Sequence, residues 1–123
     1  MVKNLNSNDV DDDIQIEVVT RKINFGIRAM QTALKKYRDS IGKETKQHHY
    51  INELRLIKFA MTGDAKQTYD LSNPPREHLS TLRRVICKNR RLIGRLIGMH
   101  VPYAQRKQAC RDFVLKKLTL TRT

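Results

Sequence analysis

The sequence predicts an all-α domain, a small bundle of about four helices. Apolar residues return at spacings of three and four along most of the chain, and no stretch sustains the period-two alternation of a strand. Gly42, Gly63, Pro74, Pro75 and Pro102 fall between the periodic segments, where such residues stop or start helices. The 123 residues make one domain, with no Gly/Ser-rich linker to divide it.

Residues 1–13, MVKNLNSNDVDDD, are polar and offer little to bury, so they are expected to form a flexible acidic arm ahead of a helical domain spanning 14–123. Asp13 stands where an N-cap would, with Asp11 and Asp12 beside it at the positive end of a helix. The first helix then carries Ile16, Val19, Ile23, Ile27, Met30, Leu34, Tyr37 and Ile41 as a heptad-like stripe, and Gly42 closes it. Its other faces hold Arg21, Lys22, Arg28, Lys35, Lys36 and Arg38. A second helix with Tyr50, Leu54, Ile57 and Met61 stops at Gly63, so that 14–63 reads as an antiparallel hairpin.

Residues 74–118 read as a basic helical pair. Asn73-Pro74-Pro75 offers a cap residue followed by prolines, which suit a first helical turn. On a wheel of residues 76–99, Leu79, Leu82, Val85, Ile86, Leu92, Ile93, Leu96, Ile97 and Met99 share an arc of about 160°. Arg76, Arg83, Arg84, Lys88, Arg90, Arg91 and Arg95 occupy the opposite arc. The fourth helix follows Pro102, with Tyr103, Cys110, Val114 and Leu118 at helical spacing.

Gly94 and Gly98 fall on the cationic side, where each glycine costs about 0.8–1 kcal/mol relative to alanine inside a helix. They are therefore expected to serve a close approach or a turn. A membrane dimerisation motif is excluded by the surrounding charge. The stretch RLIGRLIGMHVPYAQRKQ, with Ile93 and Ile97 as inward anchors, small Gly94, turn Gly98, apolar Met99 and small Ala104, resembles the bihelical core of a phage-repressor-type helix-turn-helix at about 90–110. It departs from that pattern at Lys107, where an apolar anchor belongs, unless Cys110 or Val114 serves in a shifted register. The resemblance implies that Tyr103, Gln105, Arg106 and Gln108 face base edges, with Arg and Gln suited to guanine and adenine. The alternative is a helical hairpin with a basic face.

Charge points to a polyanionic partner. Lys and Arg total 25 against 12 Asp and Glu, for a net charge of +13. Residues 1–20 carry five acids and one lysine, whereas 76–123 carry 13 basic and two acidic residues. Candidate phosphate contacts are Arg83, Arg84, Lys88, Arg90, Arg91 and Arg95, extended by Arg106, Lys107, Arg111, Lys116 and Lys117. Arginine predominates in the third helix, and guanidinium matches phosphate geometry where lysine would serve solubility equally well. The acidic arm is a candidate internal competitor for nucleic acid, or a contact for a basic patch on a partner.

Enzymatic chemistry finds little support. His48 and His49 are adjacent and point to different faces of a helix, and His78 and His100 sit about 30 Å apart along the third helix at 1.5 Å per residue. There is no P-loop, dinucleotide fingerprint or Cys-x-x-Cys, so no catalytic residue, metal or cofactor is expected. Cys87 and Cys110 are read as reduced thiols, because no secretory signal accompanies them. The absence of a long apolar run predicts a soluble, intracellular protein of the cytoplasm or nucleoid, or of the nucleus in a eukaryote.

The expected function is that of a non-enzymatic, nucleic-acid-binding regulatory or accessory protein, with DNA favoured over RNA because the chain has few aromatics for stacking. A homodimer would cover the long apolar stripe. Two alternatives remain: a helical adaptor docking on a polymerase or ribonucleoprotein assembly, and a structured-RNA-binding protein. An antitoxin or other small oligomeric regulator would share the DNA-binding surface.

Overall fold

The computed structural model describes residues 2–64, 69–94 and 97–122, with side chains over 16–64, 69–94 and 98–117. The described residues form an all-helical bundle of α1 (Val2–Ser40), α2 (Gln47–Thr62), α3 (Leu79–Ile93) and α4 (Tyr103–Arg122). Short 3-10 turns occupy Arg76–His78 and Ile97–Met99.

The apolar stripe of α1 does what its spacing predicts. Ile23, Met30 and Leu34 are buried, and Ile16, Val19, Ile27 and Tyr37 pack against the core from its margin. They meet Leu79, Leu82, Val85, Ile86 and Ile93 of α3, Leu56, Ile57, Ala60 and Met61 of α2, and Cys110 and Val114 of α4. The main partner of α1 is α3 and that of α2 is α4; α1 and α2, expected to pair as a hairpin, touch only slightly. At Gly26, α1 approaches α3 so closely that an added Cβ would stand 3.3 Å from Ile86 Cγ2.

Two helix ends fall where glycine places them. Gly42 (φ 74°) and Gly63 (φ 80°) adopt the left-handed conformation, and the Gly63 amide donates to Phe59 O at 2.7 Å. Other boundaries differ from expectation. The first helix begins at Val2, not after an Asp13 cap, because neither Gly nor Pro interrupts the chain before Gly26. Asn73 does not cap the third helix. Asp70 instead accepts from the Ser72 amide and hydroxyl in a turn, and a 3-10 turn after Pro75 delays α3 until Leu79.

The largest correction concerns the end of α3. The helix stops at Ile93, and Gly94 takes φ 86°, ψ 157°, a region open essentially to glycine alone. A Cβ there would lie 3.0 Å from the Met99 carbonyl carbon and 3.1 Å from His100 N. Gly94 thus lets the chain fold back over the helix terminus. Val101 N donates to Leu92 O at 2.7 Å, and His100 Nδ1 donates to Ile93 O at 2.8 Å, which satisfies two of the carbonyls orphaned by the helix end. Met99, expected on the apolar face, is 60% exposed. Gly98 sits in the second 3-10 turn with open space around it.

Residues 94–102 therefore separate α3 from α4, where a helix-turn-helix has a turn of about three or four residues. This connection is longer than the turn of the phage-repressor type, and Arg95, Leu96 and the Ile97 side chain of the expected motif lie outside the described residues.

Candidate nucleic-acid interface

The cationic residues of the C-terminal half divide into those that build the fold and those that remain available. Arg106 belongs to the first group. Expected at a base-facing position, it is only 2% exposed. Its guanidinium donates to both carboxylate oxygens of Glu53 on α2, to Asn89 Oδ1 on α3 at 3.0 Å and, through Nε, to Val101 O at 2.8 Å. Asn89 Nδ2 completes the cluster by donating to Glu53 Oε1 at 2.9 Å and to Met30 Sδ of α1 at 3.1 Å. A buried arginine without these acceptors would be strongly destabilising; with them it ties all four helices into one arrangement. The helical spacing that placed Arg106 near the start of α4 carried no sign of the acceptors converging on it.

Arg111 is also engaged. It donates to Ala60 O at 3.0 Å, and its Nη2 lies 2.9 Å from where a Cβ of Gly63 would stand, so it covers the C-terminus of α2. Lys107 places its ammonium 4.4 Å from the Phe59 ring centroid, and Lys88 and Lys117 each sit 5.5 Å from that of Phe113. Lys116 is exposed.

The other base-reading candidates lie on the exposed part of α4, with the Tyr103 ring 5.6 Å from the Arg106 guanidinium. The Tyr103 hydroxyl donates to Asn52 O at 3.0 Å across the α2–α4 contact, and burial pushes its pKa upward. Gln108 donates to Asp112 at 2.8 Å, while Gln105 is exposed. Because Arg106 is buried, no exposed surface presents all four of Tyr103, Gln105, Arg106 and Gln108.

Apart from Lys116 on α4, the available group lies on α3. Arg83, Arg84, Arg90 and Arg91 are exposed, and none has an ion-pair partner among the described residues. Arg95 of the same expected surface lies outside the described residues. The side chains of Asp9, Asp11, Asp12 and Asp13 also lie outside them, so their expected contact with this face is not placed.

A cleft of about 770 Å³ opens between α1 and this face of α3. From α1 come Phe25, Arg28, Ala29, Thr32, Ala33 and Lys36; from α3 come Cys87, Arg90, Arg91 and Gly94. Both sets follow helical spacing: Phe25, Arg28, Ala29, Thr32 and Lys36 on one wall, Cys87, Arg90, Arg91 and Gly94 on the other. Small Ala29, Ala33, Cys87 and Gly94 leave the space between the walls unfilled. The contribution of α1 was not among the sequence candidates. Its signal was Phe25, a large apolar residue standing outside the stripe of Ile23, Ile27 and Met30 and 69% exposed.

A smaller cavity of about 220 Å³ joins Tyr37 and Arg38 of α1, His49 and Glu53 of α2, and His100, Tyr103 and Arg106. The His100 ring stacks on Tyr37 with centroids 3.5 Å apart. Burial pushes the His100 pKa below its usual value; the nearby Arg106 acts in the same direction and the Ile93 carbonyl opposes them. Burial likewise lowers His49, whose Nδ1 accepts from the Lys46 amide at 2.9 Å. Among the described residues no cluster of three or more His, Cys, Asp or Glu is placed to hold a metal, and no helix is long and apolar enough to cross a membrane.

No protein-family model, curated protein or solved structure matches the chain.

Proposed function

We propose that this protein is a non-enzymatic regulatory or accessory protein that binds nucleic acid through the outer face of α3. The observation that carries the reading is the set of four exposed arginines, Arg83, Arg84, Arg90 and Arg91, without a carboxylate partner among the described residues. Arginines held seven residues apart in pairs present two cationic positions about two turns apart on one rigid helix. Guanidinium pairs with phosphate through two parallel hydrogen bonds, and the net charge of +13 draws a polyanion from a distance. Contacts of this kind are to the backbone and do not depend on base identity.

Fluorescence anisotropy with labelled duplex DNA, duplex RNA and single-stranded DNA over a salt series tests the reading. It predicts binding at low salt whose affinity falls linearly with salt on logarithmic axes. Absence of binding to all three by the folded protein at low salt would overturn it.

A further inference from the structure

Resting on the nucleic-acid reading, we infer that the α1–α3 cleft takes an unpaired nucleotide, with Phe25 as the surface on which its base stacks. Three features of the cleft converge on that occupant. Its rim carries four cations, Arg28 and Lys36 from α1 and Arg90 and Arg91 from α3, and no carboxylate lines it among the described residues. Its floor is made of small side chains, which leave a hollow of about 770 Å³, within the range of roughly 300–1,000 Å³ typical of small-molecule sites. Phe25, 69% exposed, stands on its wall and makes no ring or cation contact among the described residues.

An occupant must therefore be anionic, must have a body that fits a hollow and must have a flat apolar face. A paired duplex offers the charge alone, since its bases are stacked inside. A single strand offers phosphates for the rim and a free base face for the ring, the combination by which single-stranded nucleic acid is ordinarily held. Arg83 and Arg84 continue the cationic surface along α3 beyond the cleft, so the strand has a track on which to leave it. A peptide of acidic residues alone satisfies the rim but offers no flat apolar face to Phe25.

The cleft contains its own reporter. Cys87 lines it and is partly exposed, whereas Cys110 is buried with its pKa pushed up to about 11, so maleimide labelling of the native chain reads Cys87. Oligothymidine, a blunt DNA duplex of equal length and an oligoglutamate peptide are the three probes, titrated by anisotropy or competition and by the rate of thiol labelling. The inference predicts that saturating oligothymidine slows Cys87 labelling more than the saturating duplex, which covers only the rim, and that the peptide does not slow it. Phe25→Ala weakens oligothymidine roughly five-fold or more and leaves duplex binding within about two-fold, while Phe25→Trp preserves single-strand affinity. Arg83→Ala with Arg84→Ala weakens both nucleic acids.

If Arg83 and Arg84 matter but Phe25→Ala and Cys87 labelling are indifferent to the single strand, the cleft assignment falls and the phosphate-binding face stands. If protection comes from oligoglutamate and not oligothymidine, the occupant is an acidic protein segment and the inference is overturned. If neither nucleic acid binds the folded wild-type protein, the underlying reading falls with it.

Discussion

Arg106 on α4 and Arg91 on α3 carry the same guanidinium into opposite surroundings. Arg106 is enclosed by Glu53, Asn89 and the Val101 carbonyl, with its donors directed into the bundle. Arg91 is exposed on the rim of the cleft, with no carboxylate among the described residues within ion-pair reach. The first arginine makes the fold specific; the second leaves its donors for something outside the fold. A basic composition therefore contains two populations, and only acceptors brought by distant segments distinguish them.

The comparison breaks most visibly at the buried pair. Glu53→Ala leaves Arg106 charged and unpaired inside the bundle, and is expected to cost about 3–5 kcal/mol in urea or guanidinium unfolding. Replacing both Glu53 and Arg106 with Met is expected to recover most of that stability, because no buried charge remains. A double variant as unstable as Glu53→Ala would show that the pair does more than satisfy itself.

Gly94→Ala probes the turn that delivers Val101 to the Arg106 Nε. The strained φ and the close approach of Met99 are expected to lower stability by about 1–3 kcal/mol, measured the same way. An unchanged unfolding midpoint would mean that the loop reaches Val101 by another path.

The pH dependence is smaller and has a definite sign. The folded-state pKa of His100 lies below its ordinary value of about 6.5, so the unfolded chain binds the proton more readily. The stability contributed by neutral His100 is present above about pH 6.5 and is lost as pH falls from there through the folded-state pKa. His49 acts in the same direction. Tm measured between pH 7.5 and 5 should fall, and should fall less steeply in His100→Gln.

The apolar periodicity made much of this arrangement legible. The α1 stripe, the apolar face of α3 and the glycine ends at Gly42 and Gly63 are local patterns, and local physics suffices for them. Arg106 was misplaced because its role is set by a segment far along the chain, Glu53 lying 53 residues before it. Gly94 was expected at a close approach or turn and makes one with Met99 and His100, but it ends α3 instead of lying inside the helix. On the outer face of α3 the sequence identified the arginines, but the α1 wall of the cleft became visible only when α1 packed on α3. His49 and His100 similarly meet at one cavity that spacing does not reveal.

The smallest expected effect on stability, and the most direct test, concerns the exposed population. Arg83, Arg84, Arg90 and Arg91 changed together to Ala should shift unfolding by no more than about 0.5 kcal/mol per site, because each is a surface side chain without an ion-pair partner among the described residues. The decisive measurement is the salt slope of single-stranded DNA binding for this variant beside the wild type. The account predicts weaker binding and a slope shallower by about 0.7 for each phosphate that the variant no longer neutralises. A folded variant with the wild-type slope and affinity would contradict it, and would place the polyanion surface elsewhere on the molecule.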